Sequence, residues 1–277
     1  AVIWFLPPSA DFFVSNTGWN GISEFANRMK ATVVDTLEEI PGSPDNTALV
    51  LIPYTEFMPA ELDKISSYVS GGGTLILMDD YGHGDEVLEA LGVGYSFNNS
   101  ALLDPLNNDG NDKFPKIVNM NDSSLTFNVA TLVFNHAVGL VNVPDTEVVA
   151  RSSVFSFVDI DGDMLYDDDL EAQDSSAVVA NSPVGEGRVI AISDPSIIIN
   201  SMIDMEDNYK IMVNAVQLEH INTEVYLDQS HLPKERLSKV QSVLKTARDA
   251  AAYPVALLVI VGAVLLITLR PLWARRR

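Results

Sequence analysis

ALVLIPY at residues 48–54 and TLILM at residues 74–78 are the two apolar runs that decide the fold. Continuous apolar runs of this length are typical of strands that are buried on both faces of a parallel sheet. Between them, Pro59 begins a segment with apolar residues at helical spacing, and the three glycines at residues 71–73 end it. A strand, a helix and a second strand with short links predict a right-handed parallel crossover.

The same alternation returns later in the chain. Residues 188–193 (RVIAIS) predict another buried strand. Between the two α/β stretches, residues 95–147 are dense in Asn, Asp and Gly and contain only short strand-like runs. We therefore predict an α/β fold with a wound, mostly parallel sheet and an inserted β-rich lobe at about 95–147.

The C-terminal end carries the pattern of a membrane anchor. Residues 250–269 contain no charge, and twenty helical residues span roughly 30 Å, the thickness of a bilayer core. Residues 270–277 carry four arginines, so the positive-inside rule places this basic tail in the cytoplasm. The large domain, residues 11–231, is then predicted to lie outside the cytoplasm at the cell membrane.

Two further segments flank that domain. Residues 232–249 predict a juxtamembrane stalk helix whose apolar residues follow a heptad spacing. This helix could pair with a copy of itself to give a homo-oligomer, or lie on its own domain. Residues 1–10 begin with AVIWFL, which is either the end of an N-terminal membrane or signal segment or a first strand.

The composition excludes several classes of protein. The net charge is −21, and residues 1–249 hold all 38 acidic residues, which argues against a nucleic-acid partner because such a protein needs a basic face. Cysteine is absent, so disulfides, zinc–thiolate sites and a cysteine nucleophile are excluded.

Several motifs, taken together, resemble an uncharacterised prokaryotic family of membrane-anchored domains with a class I glutamine-amidotransferase-like fold. They are NTGWNGIS at 16–23, LIPYTE at 51–56, GGGTLILMDD at 71–80, GRVIAISDPS at 187–196, and Asn200-Ser-Met202 followed by Asp207 and Asn208. The resemblance implies a flavodoxin-like core. It also implies a membrane-associated assembly, because family members are often encoded near a MoxR-type ATPase. The related amidotransferases use a cysteine on a strand-to-helix turn, and residues 79–84 (DDYGHG) offer no nucleophile, so glutaminase activity is excluded.

An acidic stretch at residues 159–171 (DIDGDMLYDDDLE) resembles a calcium-binding loop in its spacing. Carboxylates at relative positions 1, 3, 5 and 9 are the alternate side chains that such a loop offers to the ion. Position 6 is Met164 where a glycine is usual, and the bidentate acid would be Glu171, one residue late. The predicted calcium ligands are Asp159, Asp161, Asp163, the Leu165 carbonyl, Asp167 and Glu171; the alternative is a solvated acidic hairpin.

A second group of polar residues follows the predicted strands. The carboxyl ends of parallel strands share one edge of a sheet, where ligands usually bind. The candidate ligand edge consists of Glu56, Asp79, Asp80, His83 and Asp194. These residues either hold a divalent metal or cap helices and loops, and Asp194 before Pro195 is a natural N-cap.

Two further sequence patterns concern catalysis and glycosylation. Ser230, His231 and Asp228 lie together in the sequence, but the G-x-S-x-G turn of a catalytic serine is missing, so no catalytic residues are predicted. Asn98 and Asn121 begin N-x-Ser/Thr sites and could carry glycans outside the membrane.

From these observations we predict a non-catalytic, membrane-anchored ectodomain that acts as a binding or scaffolding subunit of a cell-envelope complex. One alternative is a metal-dependent hydrolase or carbohydrate-binding domain that uses the acidic strand ends. Another is an accessory subunit of a transporter. No phosphate-binding loop of the type G-x-x-x-x-G-K-[ST] is present, so any ATPase in the complex is another chain.

Overall fold

A mixed sheet of eleven strands forms the centre of the fold in the computed structural model, which describes residues 11–217 and 223–232. Five neighbouring strands of this sheet run parallel. In spatial order they are β1 (Thr32–Val34), β13 (Glu224–Asp228), β2 (Thr47–Leu51), β3 (Thr74–Met78) and β12 (Gly187–Ile192). The predicted α/β class with a mostly parallel central sheet is confirmed.

Antiparallel strands extend the sheet beyond β12. The path continues through β11 (Ala177–Val184), β8 (Val138–Val141), β4 (Ser96–Leu103) and β10 (Phe157–Val158). A side branch pairs β11 with β9 (Val148–Arg151) and β9 with β6 (Asn119–Met120). A separate two-stranded sheet joins β5 (Lys116–Ile117) to β7 (Leu132–Val133). The strands of residues 95–147 thus contribute to the main sheet as well as to this small one.

Helices cover both faces of the parallel strands. On one face, α1 (Ser23–Met29) and α4 (Asn208–Val216) pack against residues such as Val50, Ile76 and Ile190. On the other face lie α2 (Pro59–Ser70), α3 (Gly84–Ala90) and a short 3-10 helix (Leu37–Glu39). Every residue of β2 and β3 is buried. Because successive residues of a strand point to opposite faces, the large apolar side chains of these strands alternate between two separate cores.

Two of the family motifs meet in a tight polar turn. Asn200 donates from Nδ2 to the Gly18 carbonyl at 2.7 Å, and its Oδ1 accepts the Glu24 N–H at 2.9 Å. A Cβ on Gly21 would lie 1.8 Å from the Asn16 carbonyl oxygen, so only glycine fits there. These contacts fix the start of α1 to the segment that follows β12.

Several predicted segments lie outside the described residues. They are the N-terminal segment at 1–10, the stalk helix at 232–249 beyond Leu232, the transmembrane helix at 250–269 and the basic tail at 270–277. Within residues 11–217 and 223–232, none of the helices has the length and apolar character needed to cross a bilayer.

Candidate functional site

The candidate site lies at the carboxyl edge of the parallel strands, where β3 and β12 are neighbours. The chain leaves β3 towards α3, which packs on one face, and it leaves β12 towards α4, which packs on the other. Such a divergence opens the crevice in which wound α/β proteins usually bind ligands. Asp79 and Asp80 follow β3, and Asp194 comes two residues after the end of β12.

Asp79 is buried and holds the turn after β3 in place. Its Oδ1 accepts the N–H groups of Asp80 at 2.9 Å and Gly82 at 2.8 Å, and its Oδ2 accepts the Gly84 N–H at 2.6 Å. Burial raises the pKa of this carboxyl to about 7, against the opposing effect of these three hydrogen bonds. Asp79 therefore organises the first turn of α3.

Asp194 is fully buried and has a similar role after β12. Its Oδ1 accepts the Ser196 N–H at 2.7 Å, which makes it the N-cap of the 3-10 helix at Pro195–Ile198, as the sequence indicated. Its Oδ2 accepts the N–H of Asn135 at 2.6 Å, from the loop between β7 and β8. Burial raises the pKa of Asp194 to about 8.

Asp80 forms a hydrogen bond with the side chain of Tyr54. It is buried, and its Oδ1 accepts the Tyr54 hydroxyl at 2.8 Å and the Tyr81 N–H at 2.6 Å. Burial raises the pKa of Asp80, while the nearby His136 lowers it. Burial and Lys113 lower the pKa of His136, which sits in a left-handed backbone conformation with φ of 55°.

Sequence reasoning did not identify Tyr54, Tyr81 or His136 as site residues. Burial, together with the charges of Asp80 and Asp194, raises the pKa of Tyr81 to about 12 and also raises the pKa of Tyr54. LIPYTE contains Tyr54 three residues after the end of β2, and this position near a strand end was the available signal. No such signal existed for His136, because it lies in the loop between the two-residue strand β7 and β8, and β7 is too short to be identified from the sequence.

The other predicted edge residues point elsewhere. His83 Nδ1 lies 2.7 Å from Glu86 Oε1, one turn further along α3, and Glu56 is exposed. Among the described residues, groups of three carboxylate or imidazole ligands within 4.8 Å of one another occur only in the acidic loop. The structure therefore brings Asp79, Asp80 and Asp194 to one edge without forming a metal-ligand set there.

The hydrogen bonds around His231 do not have the arrangement of a catalytic triad with Asp228 and Ser230. In a triad, the serine and the aspartate contact opposite nitrogens of the imidazole. Here Asp228 Oδ2 at 2.9 Å and Ser230 Oγ at 3.0 Å both contact Nδ1 of His231. The other nitrogen, Nε2, faces Glu61 Oε2 at 3.6 Å, and the ring stacks on Phe57 with centroids 4.1 Å apart.

The acidic loop, residues 159–171, is closed by two buried carboxylates. Asp159 accepts the N–H groups of Gly162 at 2.8 Å and Met164 at 3.2 Å. Glu171 accepts those of Ile160 at 2.8 Å and Asp167 at 3.1 Å. Oxygens of Asp159, Asp161 and Glu171 lie within 4.8 Å of one another, and the exposed Asp167, Asp168 and Asp169 form a second such group.

The sequence of this loop departs from the calcium pattern at Met164 and Gly162, and the backbone is left-handed at both residues. Met164 adopts φ of 64°, the left-handed conformation for which a glycine is usual at that position. Gly162 is also left-handed, with φ of 81°. Asp163 accepts the Leu165 N–H at 2.8 Å and does not belong to either close group of carboxylates.

A ladder of backbone hydrogen bonds connects the acidic loop to the candidate site. Val138 N–H donates to Ser193, Leu102 N–H to Ala137, and Asp159 N–H to Ala101. The loop therefore begins at the same edge of the sheet as Asp194, after β10, which is the fourth strand from β12. The charge of Asp159 also raises the pKa of Tyr81, in accordance with this placement.

The two candidate glycosylation sites lie on strands or next to them. Asn98 is within β4, where its Oδ1 accepts the N–H groups of Ser100 and Gly139, both at 3.1 Å. Asn121 is exposed, and its Nδ2 donates to the Val148 carbonyl at 2.7 Å.

Comparison with solved structures supports the fold. The N-terminal domain of mmIFT52 matches with a TM-score of 0.55 at 18% identity, over 75% of this chain and 92% of that domain. A ThuA-like protein from Bacteroides uniformis gives a TM-score of 0.43 at 14% identity, over 73% of this chain and 87% of that protein. A β-galactosidase from Bacillus circulans gives 0.36 at 10% identity, over 59% of this chain and 22% of the enzyme.

Of these structures, only the mmIFT52 domain matches well enough to show a shared fold, and at 18% identity it shows nothing more. The search of curated proteins finds no match. The family comparison is more definite, because one family model covers residues 14–216, most of the described domain. The chain belongs to the DUF4350 family, a domain of unknown function.

Proposed function

We propose that the chain is a non-catalytic binding or scaffolding subunit of a membrane-associated complex in the cell envelope, with its large domain outside the cytoplasm. One observation supports the non-catalytic role above all. The oxygens of Asp79 and Asp194, the most deeply buried acids at the ligand edge, accept five backbone N–H groups. Carboxylates engaged in this way stabilise turns, and among the described residues neither of these two belongs to a close group of possible metal ligands.

Membrane attachment is supported by sequence and by the geometry of the domain. The uncharged segment at 250–269 and the arginines after it have the pattern of an anchor. In the described domain, Gln229 binds the backbone of Phe12 and Val14 at 3.2 and 2.9 Å. The two ends of the domain therefore meet at one edge of the sheet, an arrangement that suits attachment on that side.

The test is to purify the full chain from its native membrane in mild detergent and to measure the mass and composition of the particle. A membrane subunit that acts as a scaffold remains in the membrane fraction after an alkaline carbonate wash. It also elutes with partners at a fixed stoichiometry, among which a MoxR-type ATPase is expected. A chain that is released by carbonate, or that purifies only as a monomer, would contradict the proposal.

We also propose that the acidic loop binds calcium as a structural ion. The supporting observation is the approach of Asp159, Asp161 and Glu171 oxygens to within 4.8 Å of one another. Carboxylate oxygens are the ligands that calcium prefers, and an ion there would offset the repulsion between these groups. Asp167 and the Leu165 carbonyl are the further ligands that the sequence spacing suggests.

Calcium titration of the full chain after EDTA treatment tests this site. We expect saturable binding with Kd on the order of 0.1–1 mM, the range of extracellular calcium modules. At a tenfold excess over Kd, calcium then raises the free energy of unfolding by about 1.4 kcal/mol. Asp161→Asn, at an exposed ligand, is expected to abolish the rise, whereas Asp174→Asn, at an exposed acid outside both carboxylate groups, keeps it. Equal responses of the two variants would contradict the site.

A further inference from the structure

Exposed apolar side chains are concentrated beside the acidic loop. Of the fourteen large apolar side chains that are exposed in the described residues, six lie between positions 154 and 170. We name these six the apolar loop face: Val154, Phe155, Ile160, Leu165, Tyr166 and Leu170. Leu165 is 67% exposed and Val154 60%, so this face leaves substantial apolar area in water. Contiguous apolar exposure usually marks an interaction site, and the closeness of these six residues along the chain favours such a patch here.

Hydrogen bonds hold the face in a defined shape. At its base, Ser156 N–H donates to Ser153, and the Asp174 N–H donates to the Ser156 carbonyl at 2.9 Å. At its tip, Glu171 accepts the Ile160 N–H, and the Tyr166 ring packs edge-on against the buried Phe157 at 5.3 Å. A preorganised face loses little conformational entropy when a partner binds, which favours association.

The charge around the face defines the partner. Residues 159–171 contain seven carboxylates and no basic residue. One bound calcium ion would reduce the charge from −7 to −5, which is still strongly negative. An anionic lipid surface or a nucleic acid would be repelled, and a purely apolar partner would leave these carboxylates unpaired.

We propose that the apolar loop face docks a basic amphipathic segment of a partner protein, in which apolar residues contact the face and Lys or Arg residues pair with the acidic loop. The proposal rests on the binding role proposed above and names the surface and the partner chemistry for it. Long basic side chains that flank apolar anchors are the complement of alternating apolar and acidic residues.

The experiment measures binding of a fluorescent 18-residue helical peptide of leucine and lysine, with the leucines on one face, to the full chain in detergent. Leu165→Ser/Leu170→Ser is the test variant. Leu106→Ser/Phe127→Ser is the matched control, because both its sites are 68% exposed and lie outside the face. We expect about tenfold weaker binding for the test variant and no change for the control. A scrambled peptide of the same composition is expected to bind about tenfold more weakly than the amphipathic one.

Three outcomes would overturn this inference. The first is equal binding by the test variant and the wild type, and the second is equal weakening by both variants. The third is that the wild type binds vesicles containing anionic phosphatidylglycerol more tightly than it binds the peptide, and that the Leu165→Ser/Leu170→Ser variant loses this vesicle binding. Purification of the test variant from native membranes separates this inference from the proposed function. If the complex survives intact, the docking face is wrong while the scaffold role stands; a wild-type monomer instead contradicts the scaffold role.

Discussion

At the scale of single residues, the buried acids at the ligand edge determine how the protein responds to pH. Asp79 and Asp194 have pKa values raised to about 7 and about 8 because burial disfavours their charged forms. Asp204, in contrast, is exposed beside Arg28, and this ion pair lowers its pKa. The folded protein therefore holds protons on its buried acids at pH values where the unfolded chain has released them.

The first prediction concerns Asp194→Asn. An aspartate in the unfolded chain titrates at about pH 4, whereas the pKa of Asp194 in the folded protein is about 8. Between these two pH values, Asp194 makes the free energy of unfolding fall as pH rises. Removal of this one titrating carboxyl changes the slope of the free energy of unfolding against pH by about 1.4 kcal/mol per pH unit. We expect urea unfolding at pH 5 and pH 8 to show a smaller stability difference in the variant than in the wild type.

Asp204→Asn is the matched control for this measurement. The pKa of Asp204 is lowered, so the contribution of this residue to stability is lost only as pH falls well below 5. Its substitution is expected to leave the difference between pH 5 and pH 8 unchanged. An Asp194→Asn variant with the full wild-type difference would show that this carboxyl is ionised in the folded state throughout that range.

At the scale of elements, His231 connects the end of β13 to the start of α2. Its Nδ1 contacts Asp228 of β13, and Nε2 faces Glu61, which caps α2 through the Met58 N–H at 2.8 Å. The His231 carbonyl also accepts the Tyr54 N–H at 3.0 Å. This histidine thus joins the end of β13 to residues 54–61, which are distant from it in sequence.

We predict that His231→Ala lowers the free energy of unfolding by about 2–3 kcal/mol, because it removes a buried network and leaves Asp228 with fewer partners. His83→Ala is the matched control, since His83 is one-third exposed and pairs with Glu86 on the same helix. We expect the control to cost roughly 0.5 kcal/mol or less. Chemical denaturation followed by tryptophan fluorescence measures both; equal losses in the two variants would contradict the role of His231.

The sequence predicts the parallel part of the fold well, because strands buried on both faces must be continuously apolar. Pro59 and the glycines at 71–73 likewise identify α2 from local chemistry alone. The antiparallel extension is harder to predict, since β6 and β10 have two residues each and so lack a readable period. Strand ends indicated Asp79 and Asp194, but their partners, such as the Asn135 N–H, depend on contacts remote in sequence.

At the scale of the whole molecule, acidity is the dominant property. The chain has 38 acidic and 17 basic residues, so most surface carboxylates have no cation to pair with. The ion pairs that do form, such as Arg28 with Asp204 and Arg151 with Asp145, include largely exposed acids and contribute little. Repulsion among like charges therefore outweighs attraction, and it destabilises the folded state.

We predict that raising NaCl from 50 mM to 500 mM stabilises the protein by on the order of 1 kcal/mol, because salt shortens the Debye length and screens this repulsion. Thermal unfolding of the full chain at both concentrations measures the effect. KCl is the control and is expected to act equally, since screening depends on ionic strength and is independent of which monovalent cation is present. A loss of stability with salt would show that attractive pairs dominate instead.

The meeting of the two domain ends at Gln229 has a mechanical consequence. A pulling force applied at Asp11 and Leu232 acts near the place where the two ends meet, so the load falls first on the contacts of Gln229 with Phe12 and Val14. The hydrogen bonds between the parallel strands lie outside this load path. Tension at these two points would break those contacts first, while the sheet and the loops at its edge keep their shape.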